Sequence, residues 1–223
     1  MTEMISIAID GPAGAGKSSI AKLVAGKLGI TYIDTGAMYR TLALACIEAG
    51  ISPDDEGAVS EAISAVRIGI SHEDGVQHIF LNDEDVSDRI RREEVGNAAS
   101  KVARYSAVRE KLVSLQRELA ASHDVIMDGR DIGTVVLPDA TNKIYLTASS
   151  RVRAMRRYKE LTEKGERADL DAIEADIIAR DEQDMNREIS PLKKADDAVL
   201  VDTSDMSIEE VVNTITELVS DGD

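Results

Sequence analysis

Cysteine is almost missing from this chain of 223 residues: Cys46 stands alone, so no disulfide can close within it. It sits in Leu42-Ala43-Leu44-Ala45-Cys46-Ile47, an apolar helical stretch in which a thiol packs as a small hydrophobe. No apolar run approaches the ~18 residues of a membrane-spanning helix. The amino terminus shows no basic segment leading to an apolar stretch and a small-residue cleavage site, and the reading is therefore cytoplasmic. Positive charge is scarce too, with 26 Lys and Arg against 42 Asp and Glu and a net charge of −16. Such a surface repels a nucleic-acid backbone or an anionic membrane, so neither is expected as a partner and each basic residue is read singly. His72, His78 and His123 lack ligand-like spacing to one another or to Cys46, which speaks against a zinc centre. Ser6, Ser19 and Ser71 lack the setting of a nucleophile elbow. There is no internal repeat, low-complexity tract or long linker, and the acidic end Ser220-Asp221-Gly222-Asp223 reads as a frayed tail.

What is present begins with Gly11-Pro12-Ala13-Gly14-Ala15-Gly16-Lys17-Ser18, which fits G-x-x-x-x-G-K-[ST] at every fixed position. The apolar run Met4 to Asp10 before it reads as a buried parallel strand. Ser18 to Leu28 after it places Ile20, Leu23, Val24 and Leu28 on one helical face. In this strand–loop–helix setting the glycines let backbone N–H groups turn inward around a phosphate chain, and the helix adds its positive end. The loop Gly11, Pro12, Ala13, Gly14, Ala15, Gly16, with Lys17, Ser18 and Ser19, is thus a nucleoside-triphosphate site. Lys17 reaches the β- and γ-phosphates, and the Ser18 hydroxyl is the metal ligand, for Mg²⁺.

Short apolar strands alternate with amphipathic helices, the pattern of an α/β fold with a central parallel sheet between helical layers. Strands are predicted at 4–10, 30–33, 124–128, 143–147 and 198–202. Helices are predicted at 17–28, 36–49, 54–65, 92–103, 106–121, 150–164, 169–187 and 207–219. In Ser106–Ala121, Val108, Leu112, Leu115 and Leu119 share a face, while Arg109, Glu110, Lys111, Arg117 and Glu118 point elsewhere. Residues 66–90 break the rhythm. Arg67–His72 and Val76–Leu81 flank Glu73-Asp74-Gly75, with Asn82–Val86 following, and read as a hairpin with a short third strand. An antiparallel hairpin has no natural place in a parallel sheet, so residues 66–90 are expected to be a small inserted subdomain of a single domain spanning 1–223.

A P-loop specifies the donor and leaves the acceptor open. No Asn-Lys-x-Asp or Thr-Lys-x-Asp segment of a guanine-nucleotide switch is present. Arg40, Arg109, Arg130, Arg180 and Arg187 stand beside motif-like breaks, two of them directly after predicted strands, and guanidinium forks suit phosphate oxygens.

Four segments together resemble the bacterial cytidylate kinases, a family of the nucleoside-monophosphate kinase group: Asp10–Ser18, Asp34-Thr35-Gly36-Ala37-Met38-Tyr39-Arg40, Met127-Asp128-Gly129-Arg130-Asp131-Ile132-Gly133-Thr134-Val135-Val136, and Arg180–Leu192. The resemblance runs essentially end to end. It implies a P-loop three-layer sandwich with a β-rich nucleoside-monophosphate-binding insert and a helical lid at 151–168, and transfer of the γ-phosphoryl group of ATP to CMP or dCMP. UMP would be a poor acceptor. It further implies that Thr35, Tyr39 and Arg40 stand where the acceptor enters, with Arg40 and Arg130 on its phosphate. Ser100, Arg109 and Asp184 match positions that read cytosine, Arg180 and Asp184 share the ribose, and Arg187 lies near the transferring phosphate. Lys17, Arg130, Asp131 and Arg187 form the catalytic set. Asp34, Asp128 and Asp131 are candidates to hold metal waters or orient arginines, with Asp128 also counted toward substrate, and Arg153 and Arg157 are the lid contacts to ATP. The cytosine amine donates where uracil presents a carbonyl, and a carboxylate only accepts, so Asp184 suits base discrimination on chemistry alone. A monomer is expected. Two alternatives stay open: a P-loop kinase for another small acceptor, and a nucleotide-dependent regulatory NTPase.

Overall fold

The computed structural model describes residues 4–73 and 75–220. Asp74 of the expected turn and residues 221–223 of the expected tail lie outside the described residues. The elements in chain order are β1 (Ser6–Asp10), α1 (Lys17–Leu28), β2 (Thr31–Asp34), α2 (Thr35–Glu48), α3 (Glu56–Ala62), β3 (Ile68–Glu73), β4 (Val76–Leu81) and β5 (Glu84–Asp85). There follow α4 (Glu93–Val102), α5 (Ser106–Ala120), β6 (Val125–Gly129), β7 (Asn142–Thr147), α6 (Ser150–Glu163), α7 (Leu170–Asn186), β8 (Val199–Asp202) and α8 (Ile208–Ser220). Two compact units result, Met1–Ile30 with Asp124–Asp223, and Thr31–His123. The residues 66–90 fall inside the second.

In the first unit β6, β1, β7 and β8 lie side by side in that order and run parallel, as the alternating pattern predicts. Ile7 to Ile9 and Val125 to Met127 are completely buried, which explains why these strands read as unbroken apolar runs. α1 packs on β1 and β6, and α8 on α1 and β7. The buried face of α1 is Ile20, Ala21, Val24 and Ala25. Leu23, expected on that face, is 48% exposed. Position 23 falls outside the buried stripe, which Ile20, Ala21, Val24 and Ala25 make up. Helix starts are fixed by side-chain acceptors: Ser149 for α6, Asp169 for α7, and for α8 a capping box in which Ser207 and Glu210 satisfy each other's backbone N–H.

The second unit has its own apolar core. Met38, Leu42 and Leu44 of α2 meet Val59, Ile79, Val95, Val102, Val108 and Leu112, each such side chain contributing about 1.5–3 kcal/mol. β3, β4 and β5 form an antiparallel sheet. The two-residue connection Asn82-Asp83 has φ of 48° and 74°, the left-handed pair that Asn and Asp tolerate and a tight hairpin requires. Ile79 and Leu81 of β4 are buried in the core, so the sheet is seated by one face. Arg109 was expected to point away from the core, yet it is only 4% exposed. Cation chemistry decides this, for its guanidinium lies over the Tyr39 ring at 5.7 Å and donates to the Ala103 carbonyl at 3.3 Å.

Candidate active site

The phosphate-binding loop leaves β1 at Gly11, where φ is 150° and a Cβ would run into the carbonyl of Leu146, so only glycine fits. Gly16, at φ 89°, turns the chain into α1. Lys17 is 5% exposed, and its Nζ donates to the Pro12 carbonyl at 2.7 Å. Burial, then the neighbouring Arg130 charge, lowers its pKa to about 7, against the opposing pull of Asp128, Asp10 and Asp184. The Ser18 hydroxyl donates to Asp128 Oδ2 at 2.8 Å.

Two side chains grip the loop from behind. Asp181 accepts from the Ala13 N–H at 3.2 Å, and Arg153 donates to the Ala13 carbonyl at 2.7 Å. The two pair with each other at 2.7 Å, and Arg153 also donates to Ala148. Arg153, expected as a lid contact, is thus a buried brace beneath the loop, 6% exposed. Arg157, one turn further on, is exposed and paired with Glu160 at 2.9 Å. The two arginines do not share an environment.

Beyond β6 the segment Asp128-Gly129-Arg130-Asp131 carries a second cluster. Arg130 Nε donates to Asp184 Oδ2 at 2.7 Å. Arg187 lies 3.5 Å from Asp131 and 4.0 Å from Asp184, and it donates through Nε to the Ser190 carbonyl. The loop after α7 is tied back by the Leu192 N–H to the Asp184 carbonyl at 2.8 Å. Arg130, Asp131, Asp184 and Arg187, scattered over 58 positions of sequence by number alone, therefore meet as alternating charges. Arg180, one turn before Asp184 on α7, is exposed.

Sequence reasoning left Asp10 and Asp181 without a role. Asp10 closes the buried strand β1 and accepts from the N–H groups of Ile132 and Gly133, both at 2.8 Å. It thereby fixes a single π-type turn, Ile132–Val136, in which the Leu137 N–H reaches Ile132 at 2.7 Å. Burial pushes its carboxyl up to about 6 despite the two N–H donors and Lys17, with Asp131 adding to the rise. The signal was present, a carboxylate at the end of an otherwise apolar strand. Asp181 has no comparable signal.

In the second unit, Asp34 ends β2 and caps α2 by accepting from the Ala37 N–H at 2.8 Å. Its other oxygen holds Arg40 at 2.9 Å. Thr35 is buried, Tyr39 and Arg40 half-buried, and Tyr39 is brought against Arg109. Ser100, on α4, is half-buried with its hydroxyl turned to the Gly96 carbonyl at 3.3 Å.

No helix among the described residues is long and apolar enough to cross a membrane. Among solved structures, a shikimate kinase from Bacteroides thetaiotaomicron matches over 98% of this chain and 99% of its own, with a TM-score of 0.50 and 16% identity, a likeness of fold. Curated relatives are far nearer. A cytidylate kinase from Lactobacillus johnsonii is 51% identical over 97% of this chain and 94% of its own. One from Bacillus cereus is 50% identical over 99% and 98%. The model of the family described as cytidylate kinase matches residues 7–221. With the P-loop, its bracing pair and the Arg–Asp cluster already in view, these matches over nearly the whole chain lead to one conclusion: the chain belongs to the cytidylate kinase family.

Proposed function

We propose that this protein transfers the γ-phosphoryl group of ATP to CMP or dCMP, giving ADP and CDP or dCDP. A phosphate oxygen of the acceptor forms a bond to Pγ as the bond from Pγ to the β,γ-bridging oxygen breaks, and ADP carries away that oxygen. Phosphoryl transfer needs positioning and charge stabilisation from the protein and no covalent intermediate. The observation that carries the reading is the set of basic side chains in the first unit: buried Lys17 in the P-loop, and the partly buried Arg130 and Arg187, each held by a carboxylate.

In this reading the loop from Gly11 to Ser19 holds the ATP phosphates through its N–H groups, and Lys17 releases the Pro12 carbonyl to reach the β/γ oxygens. Arg187 stabilises the charge on the transferring group and Asp131 aims it. Arg130 and Arg40 bind the acceptor phosphate, held by Asp184 and Asp34 respectively. Thr35 and Tyr39 line the acceptor's entry. Ser100, Arg109 and Asp184 read the base, and Arg180 with Asp184 meets the sugar. Arg153 acts on ATP through the shape of the loop, while exposed Arg157 is the lid's own contact to ATP. The Ser18 hydroxyl beside the Asp128 carboxylate is a hard-oxygen set of the kind Mg²⁺ takes. Ser18 and Asp128 would hold Mg²⁺ there, which would supply neutralisation of phosphate charge. The enzyme is read as a monomer working in the cytoplasm.

The deciding experiment is ADP release measured with MgATP and, separately, CMP, dCMP, UMP, AMP, GMP, dTMP or no acceptor. Strong stimulation by CMP and dCMP alone is expected, with Arg130→Ala and Arg187→Ala each losing most turnover. One slow rate whatever the acceptor would replace this reading with a regulatory NTPase, and stimulation by another acceptor would name a different kinase.

A further inference from the structure

The junction between β2 and α2 is held by two side chains of the antiparallel hairpin. His72 near the end of β3 and Gln77 near the start of β4 stand opposite each other in the ladder. His72 Nε2 bonds the Tyr32 carbonyl at 2.8 Å, and Gln77 Oε1 accepts from the Asp34 N–H at 2.8 Å. A carbonyl only accepts, so Nε2 carries the hydrogen here. A backbone N–H only donates, so the amide oxygen of Gln77 must face it. The two β2 groups sit two residues apart and project to the same side of an extended strand. They are the acceptor and donor that a neighbouring antiparallel strand would pair, and here an imidazole and an amide stand in for that strand.

The consequence passes through Asp34. Its N–H is fixed by Gln77, while its carboxylate caps α2 at Ala37 and holds Arg40. The hairpin has a firm base from which to do this, since Ile79 and Leu81 of β4 are buried in the core of the same unit.

We propose that His72 and Gln77 are positioning residues for the acceptor nucleotide: by pinning β2 on either side of Ile33 they set the angle at which Asp34 presents Arg40. The inference rests on the reading of Arg40 as a ligand of the CMP phosphate. It makes the hairpin part of acceptor recognition without contact to the acceptor, and it places the effect in the KM for CMP.

The test is steady-state kinetics, with KM for CMP and for ATP measured separately, on Gln77→Met and His72→Phe. These remove one acceptor and one donor while keeping size. His72→Gln and Gln77→Glu, which keep a donor and an acceptor, are the rescue variants, and Arg40→Met is the reference. Each disrupting variant should raise KM for CMP about two- to tenfold, as expected for one hydrogen bond. KM for ATP and the unfolding temperature should stay near wild type, and the rescue variants should restore KM for CMP. Gln77→Met added to Arg40→Met should have no further effect. If Arg40→Met raises KM for CMP while Gln77→Met and His72→Phe do not, or if both KM values follow lost stability, the positioning role is wrong. If Arg40→Met itself leaves KM for CMP unchanged, the reading of Arg40 falls and takes this inference with it.

Discussion

Removing the Asp184 carboxylate separates its two assigned duties. The side chain is about 10% exposed, accepts from Arg130 at 2.7 Å and lies 4.0 Å from Arg187. Deleting one member of a fully buried ion pair destabilises by about 3–5 kcal/mol. Arg130 is 22% exposed and can recover some hydration, so the smaller range for a hydrogen bond to a charged group, about 1.5–3 kcal/mol, applies to Asp184→Ala. For a chain of this size that is a fall of roughly 3–12 °C in unfolding temperature. Added CMP should restore more of the loss in the variant than it adds to the wild type, because its phosphate supplies the negative charge that Arg130 has lost.

Asp184→Asn sharpens the comparison. Its amide oxygen still accepts from Arg130, which recovers part of the stability, while its NH₂ now offers a donor that suits uracil and opposes the cytosine amine. A base contact of this kind carries about 1–3 kcal/mol of discrimination, a factor of about 5–150 in the CMP-to-UMP ratio of kcat/KM. The ratio should fall in both variants and furthest in Asp184→Asn. Competition assays with the two acceptors in one reaction read it directly. A ratio unchanged in both variants, with turnover reduced, would refute base reading by Asp184 and leave it only the task of holding Arg130.

Two further outcomes follow from the buried ionisable groups. With the Lys17 pKa lowered to about 7 by burial and Arg130, nucleotide phosphates bound beside it should raise it and favour its charged form. ATP binding should then take up on the order of one proton at pH 8 and little at pH 6, with affinity falling as pH rises above about 7. Calorimetry in two buffers of different ionisation enthalpy measures this, and heats independent of buffer at pH 8 would overturn it. Asp10, raised from 3.8 to about 6, binds more protons folded than unfolded between those values, so its contribution to stability falls as pH rises through that window. Asp10→Asn turns an amide NH₂ against a backbone N–H and should destabilise by about 1–3 kcal/mol near pH 4–5. The deficit should shrink toward pH 7 in urea titrations, where one that grows with pH would show that burial does not govern this carboxylate.

Element positions were legible because local pattern and burial agree. The middles of β1 and β6, Ile7–Ile9 and Val125–Met127, are apolar and lie inside the parallel sheet, and the caps Asp34, Ser149 and Asp169 sit where the helices begin. The π-type turn at Ile132–Val136 was not legible, since it depends on Asp10, more than a hundred residues away in sequence. Arg153 shows the same limit. The resemblance paired it with Arg157 as a lid contact, yet it meets the Ala13 carbonyl and Asp181, partners supplied by distant segments. Periodicity tells which face a residue occupies, and it is silent about which charge waits there.

The acidic composition gains a meaning from those partners. Asp34 holds Arg40, Asp131 and Asp184 hold Arg187 and Arg130, Asp181 holds Arg153, and Lys17 feels Asp10 and Asp128. A buried guanidinium with no counter-charge is strongly unfavourable, and these carboxylates answer the charges of Arg40, Arg130, Arg153 and Arg187. On the proposed reading, an arriving phosphate would meet an arginine already aimed, but one whose charge is partly answered. Binding would then be weaker than to a bare cation, with little reorganisation left for the moment of transfer, when the spread of charge over the γ-phosphoryl oxygens is greatest. The net charge of −16 is thus compatible with a site for anions. On the proposed reading, the guanidinium forks would favour phosphate over other anions, aimed by the aspartates that hold them.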